Sequence, residues 1–234
     1  YNGTSMATPH VAGIAALVQQ KHQNYSPQLL KSAIMNTAVH DVHAANGATS
    51  AVDRVGSGRV DALRAVNQDV MVYDKADPAL VSSTFGVTEI KDGKQSFSRE
   101  LVLDNAGGAA HTYKVRFDAS TDVPGVTISA PSSVTVPKGG KATIKVTATV
   151  DRAQMKKTHD PSEAVTQLGE ARQFLATESG RLVLSENGKD MRLPMSIAPK
   201  PSADMRVDNA KLALNYVRGD QSLEGASALR QRGN

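Results

Sequence analysis

The chain has 234 residues, 40% of them hydrophobic and 21% charged. That composition excludes a wholly disordered chain and suits one large domain or two ordinary ones. Its 27 basic and 23 acidic side chains leave a formal charge of +4, with a basic excess of only two in each of residues 1–66, 79–150 and 151–234. No face-sized cationic block points to a nucleic-acid partner. No apolar run nears the ~20 residues of a membrane-spanning helix, so the sequence contains no helical membrane span. Cysteine is absent, which excludes disulfides, thiolate metal sites and cysteine nucleophiles.

The chain opens on Tyr1 and runs at once into an ordered-looking motif, so it reads as a piece cut from a longer protein. Residues 4–38 have helical character. Thr4 or Ser5 caps a first helix, Pro9 falls near its opening turns, and Val11, Ile14, Leu17 and Val18 recur at helical spacing. Ser26-Pro27 is a strong second start, with Leu30, Ala33 and Ile34 as the buried face. Residues 40–58 read as loop, and Val60, Leu63 and Val66 suggest a short third helix. From about Phe85 the period changes to two. Phe97–Leu103, Tyr113–Phe117, Val126–Ile128, Val134–Val136 and Ala142–Val150 alternate between turn signals, a pattern that argues for an antiparallel sandwich. Arg152–Arg172 is a polar, helix-permissive insertion. Phe174–Ser185 and Met191–Ile197 restore strand character, Pro194 hints at an edge, and Pro199 and Pro201 look like a linker.

One stretch carries chemistry: Gly3-Thr4-Ser5-Met6-Ala7-Thr8-Pro9-His10-Val11-Ala12-Gly13. It sets a serine at the start of an apolar helix, behind a glycine. Amides in a helix's first turn are unpaired and the dipole favours negative charge there, so the Ser5 N–H can receive an oxyanion. Gly3 removes a Cβ that would crowd a substrate chain. A serine opening a helix is nonetheless an ordinary cap in most proteins, and spacing alone leaves both roles open.

These eleven positions closely resemble the active-site serine signature of the subtilisin-like serine proteases. Ser26-Pro27, Asn36-Thr37-Ala38 and Gly58-Arg59-Val60-Asp61-Ala62 resemble the end of that family's catalytic domain, so the likeness spans about residues 1–68. The resemblance implies peptide-bond hydrolysis through an acyl-enzyme on Ser5, with Asn2, Gly3, Thr4 and Met6 in the active-site loop. The family order of aspartate, histidine and serine places the base, its orienting carboxylate and the oxyanion asparagine ahead of Ser5. This stretch alone is therefore expected to be inactive.

The remaining candidates have plainer readings. His10 lies five residues beyond Ser5, about 140° round the helix at ~100° per residue, and is expected to be packed and hydrogen-bonded. A triad of Ser5 with a downstream acid and His159 needs a second glycine where Ala7 stands. Met6 packs, or offers an oxidisable thioether beside the nucleophile. The sequons at Asn2 and Asn24 read as coincidence, and Asp104, Asp118 and Asp122 as surface charges rather than calcium ligands. The six histidines show no ligand spacing, and neither a metal nor a cofactor is expected.

Asn105-Ala106-Gly107-Gly108, Thr112–Val115 and Val134–Pro137 resemble the fibronectin-III-like domain that follows the catalytic domain in large subtilases. The expected architecture is thus α/β in residues 1–68, the C-terminal helices of a subtilisin-like catalytic domain. An all-β fibronectin-III-like sandwich follows over 80–200, and residues 201–234 form a linker and the start of a truncated further module. The expected activity is a secreted or cell-surface serine endopeptidase acting on polypeptides, with the sandwich as the candidate for cell-wall or surface contact. The alternative is a non-catalytic structural or binding module of a secreted protein; an inactive homologue is a third reading, disfavoured by an intact Ser5.

Overall fold

A computed structural model of the chain describes residues 2–156, 158–171, 177–202, 204–217 and 220–232. Four helices come first: α1 (Thr4–Lys21), α2 (Pro27–Asn36), α3 (Val52–Val55) and α4 (Ala62–Val66). Strands β1 (Val70–Asp74), β2 (Ser83–Ile90), β3 (Lys94–Asn105), β4 (His111–Thr121), β5 (Val126–Ser129), β6 (Ser133–Val136) and β7 (Lys141–Asp151) follow. After a 3-10 turn at Arg152–Gln154 come the two-residue strands β8 (Thr166–Gln167) and β9 (Glu170–Ala171). The long strands β10 (Glu178–Glu186), β11 (Lys189–Pro201), β12 (Asp204–Val217) and β13 (Asp220–Arg232) end the chain. The strand expected from Phe174 begins at Glu178; residues 172–176 lie outside the described residues.

The alternating segments form two sheets, ordered β1-β3-β7-β5 and β2-β11-β10-β4-β6. Their inner faces share one core, in which Val72, Leu101, Leu103, Ile144 and Val146 meet Phe85, Leu182, Leu184, Leu193 and Met195. Register fixes which residues face inward: Leu101 lies opposite Ile144, and Leu182 lies between Phe117 and Leu193. β12 and β13 form a separate antiparallel hairpin.

β11 is interior in the sheet order and Pro199 and Pro201 lie within it, which corrects the expectation of a linker there; Pro194, expected at an edge, has β10 as its one neighbour. Pairing with β10 ends at Ile197 and pairing with β2 begins at Met195. All three prolines therefore fall where β11 has a single neighbour, so a missing N–H need not break a ladder.

The local signals read from sequence account for α1, α2 and α4, the last being the expected third helix, while the one-turn α3 lies within the expected loop of residues 40–58. Ser26 Oγ accepts Leu29 N–H at 3.3 Å and Pro27 opens α2; Asp61 Oδ1 accepts Arg64 N–H at 3.0 Å and caps α4. Gly58 has φ 119°, and a Cβ there would lie 2.3 Å from Val39 O, so only glycine permits the Val39–Arg59 bridge that closes the 40–58 loop. Val18, Ala33, Ile34, Ala65 and Met71 form a second, smaller core, with Ile14 packed against it. Ile14, Val18 and Ile34 are covered, because α2, α4 and β1 close on them. Within residues 2–66 the exposed large apolar side chains are Met6, Val11, Leu17 and Leu63.

The helical segment packs on the outer face of the five-stranded sheet, and polar groups make the joint. Asn36, fully buried at the end of α2, accepts Val72 N–H at 2.8 Å and donates to Arg192 O at 3.0 Å, tying β1 and β11 to one side chain. Arg181 on β10 has 0% exposure and, among the described residues, no carboxylate partner. Its guanidinium donates to Gly56 O at 3.0 Å, Ser120 Oγ at 3.2 Å and His40 Nε2, while its Nε–H has no partner among the described residues. β10 is consequently buried on both faces from Glu178 to Leu184.

Replacing Asn36 with leucine keeps the branched shape and strands two buried backbone groups. At ~1–3 kcal/mol for each unsatisfied group, Asn36→Leu should lower unfolding free energy by about 2–6 kcal/mol in urea titrations. A loss below about 0.5 kcal/mol, the range of an indifferent surface change, contradicts this role.

Candidate active site

Ser5 is the second residue of α1, whose N-cap, Gly3, has φ 142° and no side-chain cap. Gly3 O accepts the amides of Met6 and Ala7, both at 3.1 Å. Among the described residues the Ser5 amide has no acceptor, which leaves it for an anion at the helix start. A Cβ on Gly3 would meet nothing nearer than Met6 Sδ at 3.9 Å, so the glycine answers the backbone φ rather than local crowding. Pro9, four residues on, has no N–H to give to Ser5 O.

The whole stretch 2–13 is exposed, Ser5 included. Asn2, Gly3, Thr4 and Met6 surround Ser5 in sequence and lie on the same open turn. His10 is exposed rather than packed, because no described residue covers this half of α1; its Nδ1 is 2.6 Å from Met6 O. Thr8 Oγ1 donates to Thr4 O at 2.8 Å, a second side-chain bond within the same two turns.

No hydrogen bond joins Ser5 Oγ to a histidine among the described residues. His22 Nε2 lies 2.9 Å from Val66 O with its ring stacked on Tyr25 at 4.3 Å, and His111 Nδ1 donates to Glu186 at 2.6 Å. His40 faces Arg181. His159, near Asp53 and Ser179, is far along the chain on the polar insertion. Asp104 holds Lys141 at 2.8 Å and Tyr73 Oη at 2.9 Å, and Asp118 holds Arg116 at 2.9 Å, both surface partnerships.

His40, at the joint between helices and sheet, and Glu178, beside Val123 of the shared core, have displaced protonation, as does Arg181. Burial, then Arg181 and Arg192, hold His40 down at about 4. Burial pushes the Glu178 carboxyl up to about 7 against the hydrogen bond it accepts from Val123 N–H at 2.6 Å, with Asp122 adding to the rise. Burial and Arg192 lower Arg181 to about 10, so it stays cationic at neutral pH. None of these residues was singled out by sequence. A histidine in a loop and an outward-facing arginine on a strand look like solvent-exposed groups until the two segments are seen to pack.

The two shifts act on stability with opposite sign. His40 titrates lower in the folded chain than unfolded, near 6.5, so its contribution is present above pH 6.5 and is lost as pH falls towards 4. Glu178 titrates higher than its unfolded 4.5, so its contribution is present below pH 4.5 and is lost as pH rises through 7. Glu178→Gln should therefore unmask the His40 dependence, giving a melting temperature that climbs more steeply from pH 4.5 to 6.5 than the parent chain's. Superimposable profiles contradict the assignment.

Residues 1–87 match the family model described as the subtilase family. The chain is 26% identical over 225 residues to the minor extracellular protease Vpr of Bacillus subtilis, covering 95% of this chain and 24% of that protein. It is 30% identical over 217 residues to the subtilisin-like protease SBT4.12 of Arabidopsis thaliana, covering 84% of this chain and 29% of that protein. Identity rises to 46% over 78 residues with SBT4.4 of the same plant, over 32% of this chain and 10% of that protein. The chain thus spans about a quarter of the length of Vpr and of SBT4.12.

Proposed function

Residues 1–87 being subtilase-family sequence, we propose that the chain is the C-terminal part of a serine endopeptidase whose nucleophile is Ser5. The observation that carries this reading is the place of the eleven-residue motif: Ser5 stands on the exposed first turn of α1, and its amide has no acceptor among the described residues. Ser5 Oγ attacks the scissile carbonyl as a base takes its proton, the Ser5 N–H donates to the tetrahedral oxyanion, and collapse breaks the C–N bond, releasing the amine with that proton and leaving an acyl-enzyme that water hydrolyses. A serine hydroxyl needs a base to accept its proton. In this reading the histidine, its orienting carboxylate and the oxyanion asparagine come from sequence ahead of Tyr1, and the same sequence covers the exposed half of α1. Asn2, Gly3, Thr4 and Met6 form the loop beside the scissile bond.

The β-rich part over 80–200 is read as the fibronectin-III-like module, supported by its two sheets over one core, and residues 201–234 as the start of a further unit. Polypeptides are the substrate, and the setting is secreted or cell-surface. The relative from Bacillus subtilis is itself an extracellular protease. The sheets remain the candidate for surface contact.

In the full-length protein, Ser5→Ala should reduce casein cleavage by at least about a thousandfold. Its stability should stay within about 0.5 kcal/mol of the unsubstituted protein, as for other exposed positions. Wild-type cleavage by that variant rejects Ser5 as nucleophile. The 234-residue chain alone should resist a fluorophosphonate probe that labels the full-length enzyme one to one, since Ser5 Oγ has no hydrogen-bonded base among the described residues. Stoichiometric, time-dependent labelling of the shorter chain shows a working base among the residues present.

A further inference from the structure

Residues 40–58 lie against the five-stranded sheet with little apolar surface to hold them there. Ala51 is the one apolar side chain they bury, and Ser50 and Ser57 are their other buried residues. α3, inside this stretch, is a single turn resting on β10 and β11. A segment with so few buried apolar contacts belongs to the least stable parts of a fold.

What fastens the stretch is polar, and it converges on Arg181. The guanidinium donates to His40 Nε2 and to Gly56 O at 3.0 Å, so both ends of the stretch are tied to one side chain of β10. Val39 N–H donates to Arg59 O at 2.7 Å and Arg59 N–H to Val39 O at 3.0 Å, which closes the neck. Further out, Asn46 Nδ2 donates to Pro161 O at 3.0 Å and Arg54 pairs with Glu163; both partners lie on the insertion after β7 and not on the sheet.

His40 accepts from Arg181 only while Nε2 keeps its lone pair. A proton there sets a second cation against a fully buried guanidinium that has no carboxylate partner among the described residues. The other groups facing His40 give little relief. Arg192 on β11 and His43 on the same stretch oppose a charge on it. Asp118 on β4 favours one, with the smallest effect of the set, and already holds Arg116 at 2.9 Å. The joint at Asn36, by contrast, is an amide between two backbone groups and has nothing to titrate.

We propose that residues 40–58 form an acid-released strap: protonation of His40 frees the stretch from Arg181, while the Asn36 joint and both sheets stay closed. Release uncovers β10 around Arg181 and lets water solvate the two cations apart. The device needs nothing of the chemistry at Ser5.

Hydrogen exchange of the 234-residue chain at pH 7 and pH 5, read by mass spectrometry and corrected for the intrinsic rate at each pH, tests the strap. His40 titrates at about 4 with the strap seated and near 6.5 when it is released, so opening should be on the order of twentyfold more frequent at pH 5. Peptides within residues 41–57 should lose protection by that factor, while those across Leu101–Leu103 and Leu182–Leu184, and the Val72 amide, keep theirs. His40→Gln offers Arg181 an uncharged acceptor and should flatten the pH response of 41–57. The contrast between strap and core in the parent chain is a test that needs no variant. A rise below about threefold in 41–57, an equal loss in strap and core, or an undiminished acid response in His40→Gln overturns the proposal.

Discussion

A single buried amide, that of Asn36, settles how the two halves of this chain meet. β1 is the edge of its sheet, and an edge strand leaves backbone groups without partners. Asn36 accepts the Val72 amide and donates to Arg192 O on the other sheet, so one side chain ends α2 and bridges both sheets. Thr37 then closes the helix by donating to Ala33 O at 2.7 Å. Everything N-terminal follows from this anchor. α2 offers Ala33 and Ile34 to Val18 of α1 and Ala65 of α4, with Met71 of β1 sealing the cluster. The turn that carries Ser5 is held only through that cluster, some three helical turns away.

Arg181 makes the same joint from the sheet side at higher electrostatic cost. A buried cation without a carboxylate is expensive, and this one is offset by neutral acceptors: a backbone carbonyl, a hydroxyl and an imidazole. The imidazole must present its lone pair to serve, which is why His40 is held neutral far below its ordinary range. An apolar pair would bring the surfaces together with less penalty. The polar set instead fixes one orientation, since its donors match these acceptors only in this packing.

The parts of this architecture that sequence made legible are those written in local chemistry. Ser26-Pro27 announced α2 because a capping hydroxyl and a fixed φ act within four residues, and the strands from β3 to β7 announced themselves by alternation. β1 was not seen. Its five residues are all buried, so it shows no alternation, and it is too short to separate from a helix tail. β10 misled differently. Arg181 alternates with Leu182 as a solvent-facing residue should, and nothing nearby in sequence reveals that residues 40–56 cover it. Asn36 was noticed as part of a family pattern, but its two partners lie 36 and 156 residues away, beyond any local rule. At the candidate site, the serine and its helix start were legible. The packing expected for His10 was not met, because no described residue covers that half of α1.

The central claim is that helices and sheets form one cooperative body locked at Asn36, rather than two units that open separately. Native-state hydrogen exchange of the Val72 amide tests it most directly, because that proton is given to Asn36 and its release requires the joint to open. Measured against rising denaturant, Val72 should merge with Leu182 of the shared core onto one opening free energy. Exchange of Val72 through a small, denaturant-independent opening, while Leu182 stays protected to the global limit, would show that the joint opens on its own and contradict the account.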